Sequence, residues 1–415
     1  MVRKILKVIG VFVITLVILT ILFVRFGELS ITDRPITIFG YDKVEDKFIV
    51  NDYMSFEMES KDGVYVLDQG DQYELLKVHK VNQQYKLQKE MVDRDSIIRI
   101  NIEVANSDHD QFIVDYHSDK IDQYLDEYTT ESPIIALSDI EGNFNAFSSF
   151  LVANKVINKN FDWIFGNGHL VLLGDFMDRG TNVTQCLWLI YKLEQQAALQ
   201  NGKVHFVIGN HEAMNLQGNV KYVAPKYKGF IQAYTQDKNF AQGYKEMLND
   251  KFVLGKWMKS KNVVQKINKT LFVHGGISPE MIDMKLSLKE INDIARKHIS
   301  ENLYGQTQGD QKANLIMGRK GPLWYRGLAM DYKDYYKKIN IQTFNEILAF
   351  YDVEQIVIGH TIVEDIQLDF NNNLINIDIK HAKEKHSGKT KGILISQDAV
   401  FSLDDNGERK KLKTL

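Results

Sequence analysis

Cysteine is almost missing from this 415-residue chain, where Cys186 stands alone. One thiol cannot close an internal disulfide, and it excludes multi-cysteine zinc sites and a dithiol redox pair. Any bound metal must therefore rest on His, Asn and carboxylates. Proline is scarce, at 5 residues, and neither a low-complexity stretch nor an internal repeat is present, so the chain offers no evident flexible linker. An excess of basic charge is missing too. Lys plus Arg total 51 against 54 Asp plus Glu, a formal net charge of -3, which removes the positive field that phosphate-backbone binding demands and argues against nucleic acid as a partner. With 44% hydrophobic and 25% charged residues, the composition excludes a wholly disordered chain and a polytopic membrane protein.

Long apolar runs are confined to the amino terminus. Val8 to Val24 is uncharged throughout, with Arg3, Lys4 and Lys7 before it and Arg25 after it. A helix from Ile5 to Phe26 would measure about 33 Å at about 1.5 Å per residue, enough for a bilayer core of about 30 Å if Lys7 snorkels. A signal peptide has a shorter apolar region and a small-residue cleavage site, whereas this run ends in Arg25-Phe-Gly-Glu28. The segment predicts an uncut single-pass anchor over residues 1–27. The basic amino terminus predicts a cytoplasmic start, with the rest of the chain on the extracytoplasmic side.

Two regimes follow. Over residues 28–130, alternating stretches such as Lys47-Phe-Ile-Val, Val64-Tyr-Val-Leu and Ile97-Ile-Arg-Ile-Asn-Ile predict a small β-rich region without chemistry of its own. Over residues 131–405 the pattern is α/β. Pro133–Asp139, His169–Asp175, Lys203–Asn210, Thr270–His274 and Gln355–His360 each read as a buried strand running into a polar turn, and Thr181–Leu199 reads as an intervening helix. Leu374–Ile379, Gly392–Ser396 and Ala399–Leu403 predict further strands of a second sheet, and 406–415 reads as a charged tail. All five buried runs end in a potential metal ligand. Ligands of open α/β sheets bind at the carboxyl ends of strands, so these side chains, remote in sequence, can converge on one site.

The residue types fit phosphoester hydrolysis. Asp175 and Asp178 lie in Gly174-Asp-Phe-Met-Asp-Arg-Gly180, and a strand-end carboxylate such as Asp175 can bridge two divalent cations. Arg179 offers a planar fork to phosphate oxygens. In Gly209-Asn-His-Glu212, Asn210 can ligate through its amide oxygen, and His211 suits a general acid that Asp178 would orient and keep charged. His274 and His360 suit the second cation. A lone Asp-Arg-Gly is usually a surface turn and a lone buried His is usually a hydrogen-bonded core residue; the combination carries the reading. His169, His205, His298, His381 and His386 lack the strand-end pattern and read as structural or surface residues.

Together these strings resemble the calcineurin-like metallophosphoesterase superfamily, in its serine/threonine phosphoprotein phosphatase branch, over roughly Ser132 to Leu403. The resemblance implies a β-sandwich flanked by helices and two divalent metal ions, manganese first, with magnesium, iron or zinc as other candidates. It implies Asp139, Asp175, Asn210, His274 and His360 as ligands, Arg179 and Asn210 as phosphate contacts, and His211 with Asp178 as the acid pair. Gly321-Pro-Leu-Trp-Tyr-Arg-Gly327 also resembles a signature of the Shewanella-like bacterial phosphatases, which implies Arg326 as a second phosphate clamp. The implied reaction is attack of a metal-bridging hydroxide on a phosphate monoester, without a phosphoenzyme.

Two strings depart from the family pattern. Asp139-Ile-Glu-Gly-Asn143 places Glu141 where the family has histidine, so Glu141 is expected to ligate the first metal, its added charge favouring Mn²⁺ or Mg²⁺; the alternative is that it only accepts a hydrogen bond in the turn and leaves a weakened first metal. Asp378-Ile-Lys-His381 lacks a glycine at the substrate rim. The substrate implied is a phosphoprotein, phosphorylated on tyrosine or on serine and threonine. Dinucleoside polyphosphate hydrolysis is the rival enzyme reading, and a phosphate-binding scaffold without catalysis is the non-enzymatic one.

Overall fold

The computed structural model describes residues 62–81, 84–116, 124–235, 239–304, 306 and 309–415, with residues 29–30, 35–36, 40–42, 47–51 and 54–57 as short strands. Two six-stranded sheets form the centre. One runs Lys203–Phe206, His169–Leu172, Ile134–Leu137, Lys391–Ile395, Ala399–Asp404, Arg409–Thr414. The other runs Glu127–Tyr128, Val264–Ile267, Thr270–Val273, Gln355–Ile358, Leu374–Asn376, Gln367–Asp369.

Side chains alternate across a strand, so each buried strand serves two cores. Ile134, Ala136, Val171 and Val207 meet Phe272, Val357 and Ile375 of the opposite sheet, forming a sandwich interior of aliphatic residues. The alternate residues Ile135, Leu137, Leu170 and Leu172 point the other way, onto a layer that includes Phe147, Phe150, Cys186 and Trp188 from the flanking helices Phe144–Ala153 and Val183–Ala198. The helix expected over Thr181–Leu199 is thus present, and Cys186 is buried on it.

Register sets the height of the strand ends. Leu137 pairs with Leu172 and Leu172 with Phe206 in parallel, while Val273 pairs with Ile358 in parallel in the other sheet. Asp139, Asp175, Asn210, His274 and His360 all follow these paired residues within four positions. The strands therefore release their polar turns at one edge of the sandwich.

Three expectations are revised by the structure. Among the described residues no helix is long and apolar enough to cross a membrane, which overturns the single-pass localisation with an extracytoplasmic body. The helix Val183–Ala198, at 16 residues, reaches only about 24 Å, less than a bilayer core of about 30 Å, and Lys192 and Glu194 on it form ion pairs within the protein. The run Ile5–Phe26 behind that expectation lies outside the described residues. The three late strands do not share a sheet: Lys391–Ile395 and Ala399–Asp404 join Ile134–Leu137, and only Leu374–Asn376 joins the other. Within the expected tail 406–415, Arg409–Thr414 pairs with Ala399–Asp404 and packs Leu412 against the sandwich. Its lysines leave a charged outer strand, which discourages pairing with another chain.

One buried polar pair lies in the first sheet. His169 Nδ1 is 2.9 Å from His205 Nε2, the rings stack at 5.0 Å, and Tyr128 meets the His205 ring edge-on at 4.7 Å. Burial, assisted by the Lys203 charge, brings the His169 pKa down to about 4, and burial with the His169 charge lowers that of His205. Folded-state values below the ordinary one mean that the unfolded chain takes up protons first, so stability falls as pH drops from about 6.5 through about 4. Melting temperature followed over that range should decline less steeply in the His169→Gln/His205→Gln variant than in the native chain; parallel declines would remove the pair from the account.

Candidate metal centre

Two glycines allow the strand-end turns to close on each other. A Cβ at Gly174, whose φ is +76°, would stand 2.4 Å from Gly209 N, and a Cβ at Gly209 would stand 2.3 Å from Asp175 Oδ1. Both positions require the smallest residue, because backbone meets backbone there. Around them six other residues adopt the left-handed region: Asp139, Glu141, Asp175, Asp178, Arg179 and His360, with φ of 55°, 52°, 56°, 73°, 59° and 62°. Non-glycine residues hold such conformations at an energetic cost that the surrounding structure must offset, and they cluster at functional sites.

For Asp175 the offset comes from Glu212. Its carboxylate is fully buried, at 0% exposure, and accepts four backbone N–H bonds. Oε2 takes Asp175 N at 2.8 Å and Gly209 N at 2.9 Å, while Oε1 takes Phe176 N at 2.8 Å and Met177 N at 3.1 Å. One side chain thus ties the Asp175 turn to the Asn210 turn. Burial and the nearby Asp175 charge raise its pKa, and the amide donors oppose that rise. The strand-end pattern gives Glu212 no role. The available signal was its place three residues after the glycine that starts the helix Asn210–Leu216, where a Glu reaches back to orphan amides.

Asp175, His274 and His360 bring one donor atom each to within 4.8 Å of one another, and all three are buried. His274 Nδ1 donates to Leu173 O at 2.6 Å, which turns Nε2 toward Asp175 Oδ2 at 3.2 Å and Asn210 Oδ1 at 3.0 Å. An imidazole whose far nitrogen is occupied by a carbonyl is the usual arrangement of a metal ligand. His360 Nε2 is buried without a hydrogen-bond partner, and burial together with the His274 and Arg326 charges lowers its pKa, leaving a neutral ring with a free lone pair. Buried polar atoms are rarely left unpaired, and a cation among these donors would satisfy it. Asp175 Oδ1 accepts His211 N at 2.9 Å. Although burial opposes it, the His274 and His211 charges hold the Asp175 pKa well below the ordinary carboxylate range.

Asp139 completes the other side. Its Oδ2 accepts from His360 N at 3.2 Å and from the Ser138 hydroxyl, while His381 Nε2 donates to Ser138 O at 2.8 Å and steadies the same turn. Burial raises the Asp139 pKa to about 6, with His274 opposing and Asp175 assisting. Oxygen donors from Asp139 and Asp175 can hold one cation, and Asp175, Asn210, His274 and His360 can hold a second. Glu141 is directed elsewhere, into an ion pair with Arg179. Asp378, noted in the sequence only for its rim position, is buried, and burial followed by the Asp139 charge raises its pKa.

The remaining predicted residues border this group. His211 Nδ1 is 2.5 Å from Asp178 Oδ2, and Asn215 Nδ2 donates to Asp178 Oδ1 at 2.9 Å, so the carboxylate is fixed from both sides. Burial disfavours the charged imidazole, but Asp175 and the Asp178 bond outweigh it and raise the His211 pKa. Arg179 lies 5.4 Å over the Tyr222 ring, whose centroid is 5.3 Å from that of His211. Arg326 reaches the site through the His360 carbonyl and Thr361 Oγ1, the latter at 3.2 Å. Trp324 packs edge-on to His360 at 5.9 Å and against Tyr304 at 4.7 Å, forming an aromatic wall.

Replacing Glu212 with Gln turns one acceptor into a donor facing backbone N–H groups. The change should destabilise the protein by about 1–3 kcal/mol per stranded amide and weaken metal uptake, both measurable by melting and metal analysis. An unchanged melting temperature would remove Glu212 as the tie between the turns.

Known proteins are similar to this chain. The calcineurin-like phosphoesterase model matches residues 132–364. A Shewanella-like protein phosphatase 1 of Plasmodium berghei is 32% identical over 228 residues, covering 55% of this chain and 60% of that protein. A Shewanella-like protein phosphatase 2 of Arabidopsis thaliana is 22% identical, covering 64% of this chain and 75% of that protein. The chain thus spans about 60% of the length of the first of these relatives. Among solved structures, a cold-active protein-tyrosine phosphatase of a psychrophile Shewanella species superposes with a TM-score of 0.71 at 27% identity, covering 85% of this chain and 99% of that one. With strand-end donors gathered at one edge of a β-sandwich and more than half its length matched, the chain belongs to the calcineurin-like phosphoesterase family.

Proposed function

We propose that the protein is a metal-dependent phosphomonoesterase acting on phosphorylated protein side chains. The observation that carries this reading is the unpartnered Nε2 of His360, gathered with Asp175 and His274 beside a buried His–Asp pair. Asp139 and Asp175 would hold the first divalent cation, and Asp175, Asn210, His274 and His360 the second, with manganese as the ion matched to this oxygen-rich set. Bound cations supply Lewis acidity and an activated water. Glu141 would add an oxygen to the first cation only by leaving Arg179.

The chain's own residues do the rest. Arg179 and Arg326 neutralise phosphate oxygens, and the Asn210 amide orients one of them. His211, kept charged by Asp178, donates its proton to the departing oxygen. The names of the relatives support a protein substrate. The wall formed by Trp324 and Tyr304 favours an aryl phosphate, since an aromatic ring can stack there. Phosphotyrosine is therefore the substrate proposed, ahead of phosphoserine and phosphothreonine.

Two substitutions test the assignments. Asp175→Asn should lower p-nitrophenyl phosphate turnover with Mn²⁺ by roughly 10²–10³-fold and reduce bound metal, because the residue serves both cations in this reading. Full activity would defeat it. His211→Asn should keep its metal and lose roughly 10²–10⁴-fold in kcat on a phosphoserine peptide, whose alkoxide needs a proton, but less on p-nitrophenyl phosphate, whose phenoxide leaves readily. Equal losses on both substrates, or loss of metal, would take the acid role from His211.

A further inference from the structure

The chain that follows Arg179 is hydrogen-bonded to residues 62–116. Asn182 Nδ2 donates to Ala105 O at 3.1 Å, and Ala105 N donates to Asn182 Oδ1 at 3.0 Å. Gln185 Nε2 donates to Glu103 O at 3.1 Å, and Trp188 Nε1 donates to Val64 O at 2.7 Å. Beside these bonds lies a buried ion pair between the two regions. Lys226 Nζ is 3.6 Å from Asp62 Oδ1, an ion-pair contact without a hydrogen bond, with both side chains 1% exposed, and the Tyr65 hydroxyl donates to the other Asp62 oxygen. The same ammonium donates to Thr181 O at 2.6 Å.

Thr181 is two residues beyond Arg179, whose own N–H donates to Tyr222 O at 2.9 Å, four residues before Lys226. The Arg179 turn is thus gripped at both ends by the segment 222–226. Burying two charges costs several kcal/mol, and apolar side chains of similar volume often stabilise as well or better. Packing therefore does not account for the pair. Its distinctive product is a cation fixed on one carbonyl beside a left-handed arginine.

We propose that Asp62 and Lys226 are positioning residues for phosphate binding, through which residues 62–116 hold the backbone of the Arg179 turn. The inference rests on the phosphate-binding reading of Arg179. Asp62 attracts the Lys226 ammonium across 3.6 Å, Lys226 donates to the Thr181 carbonyl, and the turn is held at that carbonyl as well as by its backbone bonds to Glu141 and Gly142. The β-rich region would thereby serve the site without contributing a group to it.

The test is a double-mutant cycle on the full chain loaded with Mn²⁺. In the Asp62→Asn/Lys226→Met variant neither charge is stranded; KM for p-nitrophenyl phosphate and the inhibition constant of inorganic phosphate should both rise about 5- to 10-fold, with kcat within about 2-fold and metal content unchanged. In an Arg179→Ala background the same two substitutions should shift the phosphate constant by less than about 2-fold. If the double variant fails to fold, Lys226→Arg, which keeps the charge and moves the donor, is measured in its place. An unchanged phosphate constant in the folded variant, or an equal rise in both backgrounds, overturns the inference while leaving Arg179 in its role. If Arg179→Ala alone leaves the constant unchanged, the underlying reading of Arg179 falls and the inference with it.

Discussion

The carboxylate of Glu212, accepting backbone N–H bonds from Asp175, Phe176, Met177 and Gly209, is the contact on which the site depends. The turns it joins come from neighbouring parallel strands and would otherwise present buried amides to each other with nothing to receive them. A carboxylate placed between them converts that penalty into four charge-assisted hydrogen bonds. It also brings a second negative charge close to Asp175. The charges of His274 and His211 answer it, and divalent cations would do so further.

From that contact the geometry propagates outward. Asp175, held at its N–H by Glu212, receives His211 N on its own carboxylate, and His211 in turn meets Asp178. His274 is turned by the Leu173 carbonyl, and the His360 backbone is fixed by Asp139. Each donor is thus oriented by a bond that is not available to substrate. Such an arrangement suits electrostatic catalysis, in which the groups that meet developing charge should not have to reorganise.

Much of this was legible in the sequence because buried parallel strands are recognisable as apolar runs and their carboxyl ends are where sites form. Asp139, Asp175, Asn210, His274 and His360 could be found by that rule, and the structure gathers them. Glu212 could not be given its role in the same way, since its partners are backbone amides that carry no residue signature. The position of Glu141 in its string points to the metal, but its partner in the structure is Arg179, 38 residues on. Arg409–Thr414 was hidden by its charge, because an outer strand needs only Leu412 to pack inward. The β-rich region carries no chemical motif, and its ties to Lys226 and to the helix after Arg179 run through Asp62 and backbone carbonyls that motif reading does not see.

The most direct measurement is anomalous X-ray scattering from crystals equilibrated with Mn²⁺. The account predicts two peaks within one pocket, one touching Asp139 and Asp175, the other touching Asp175, Asn210, His274 and His360, at a separation of about 3.5–4 Å. A map with no peak beside His360 Nε2, or with manganese bound only away from Asp175, would contradict it.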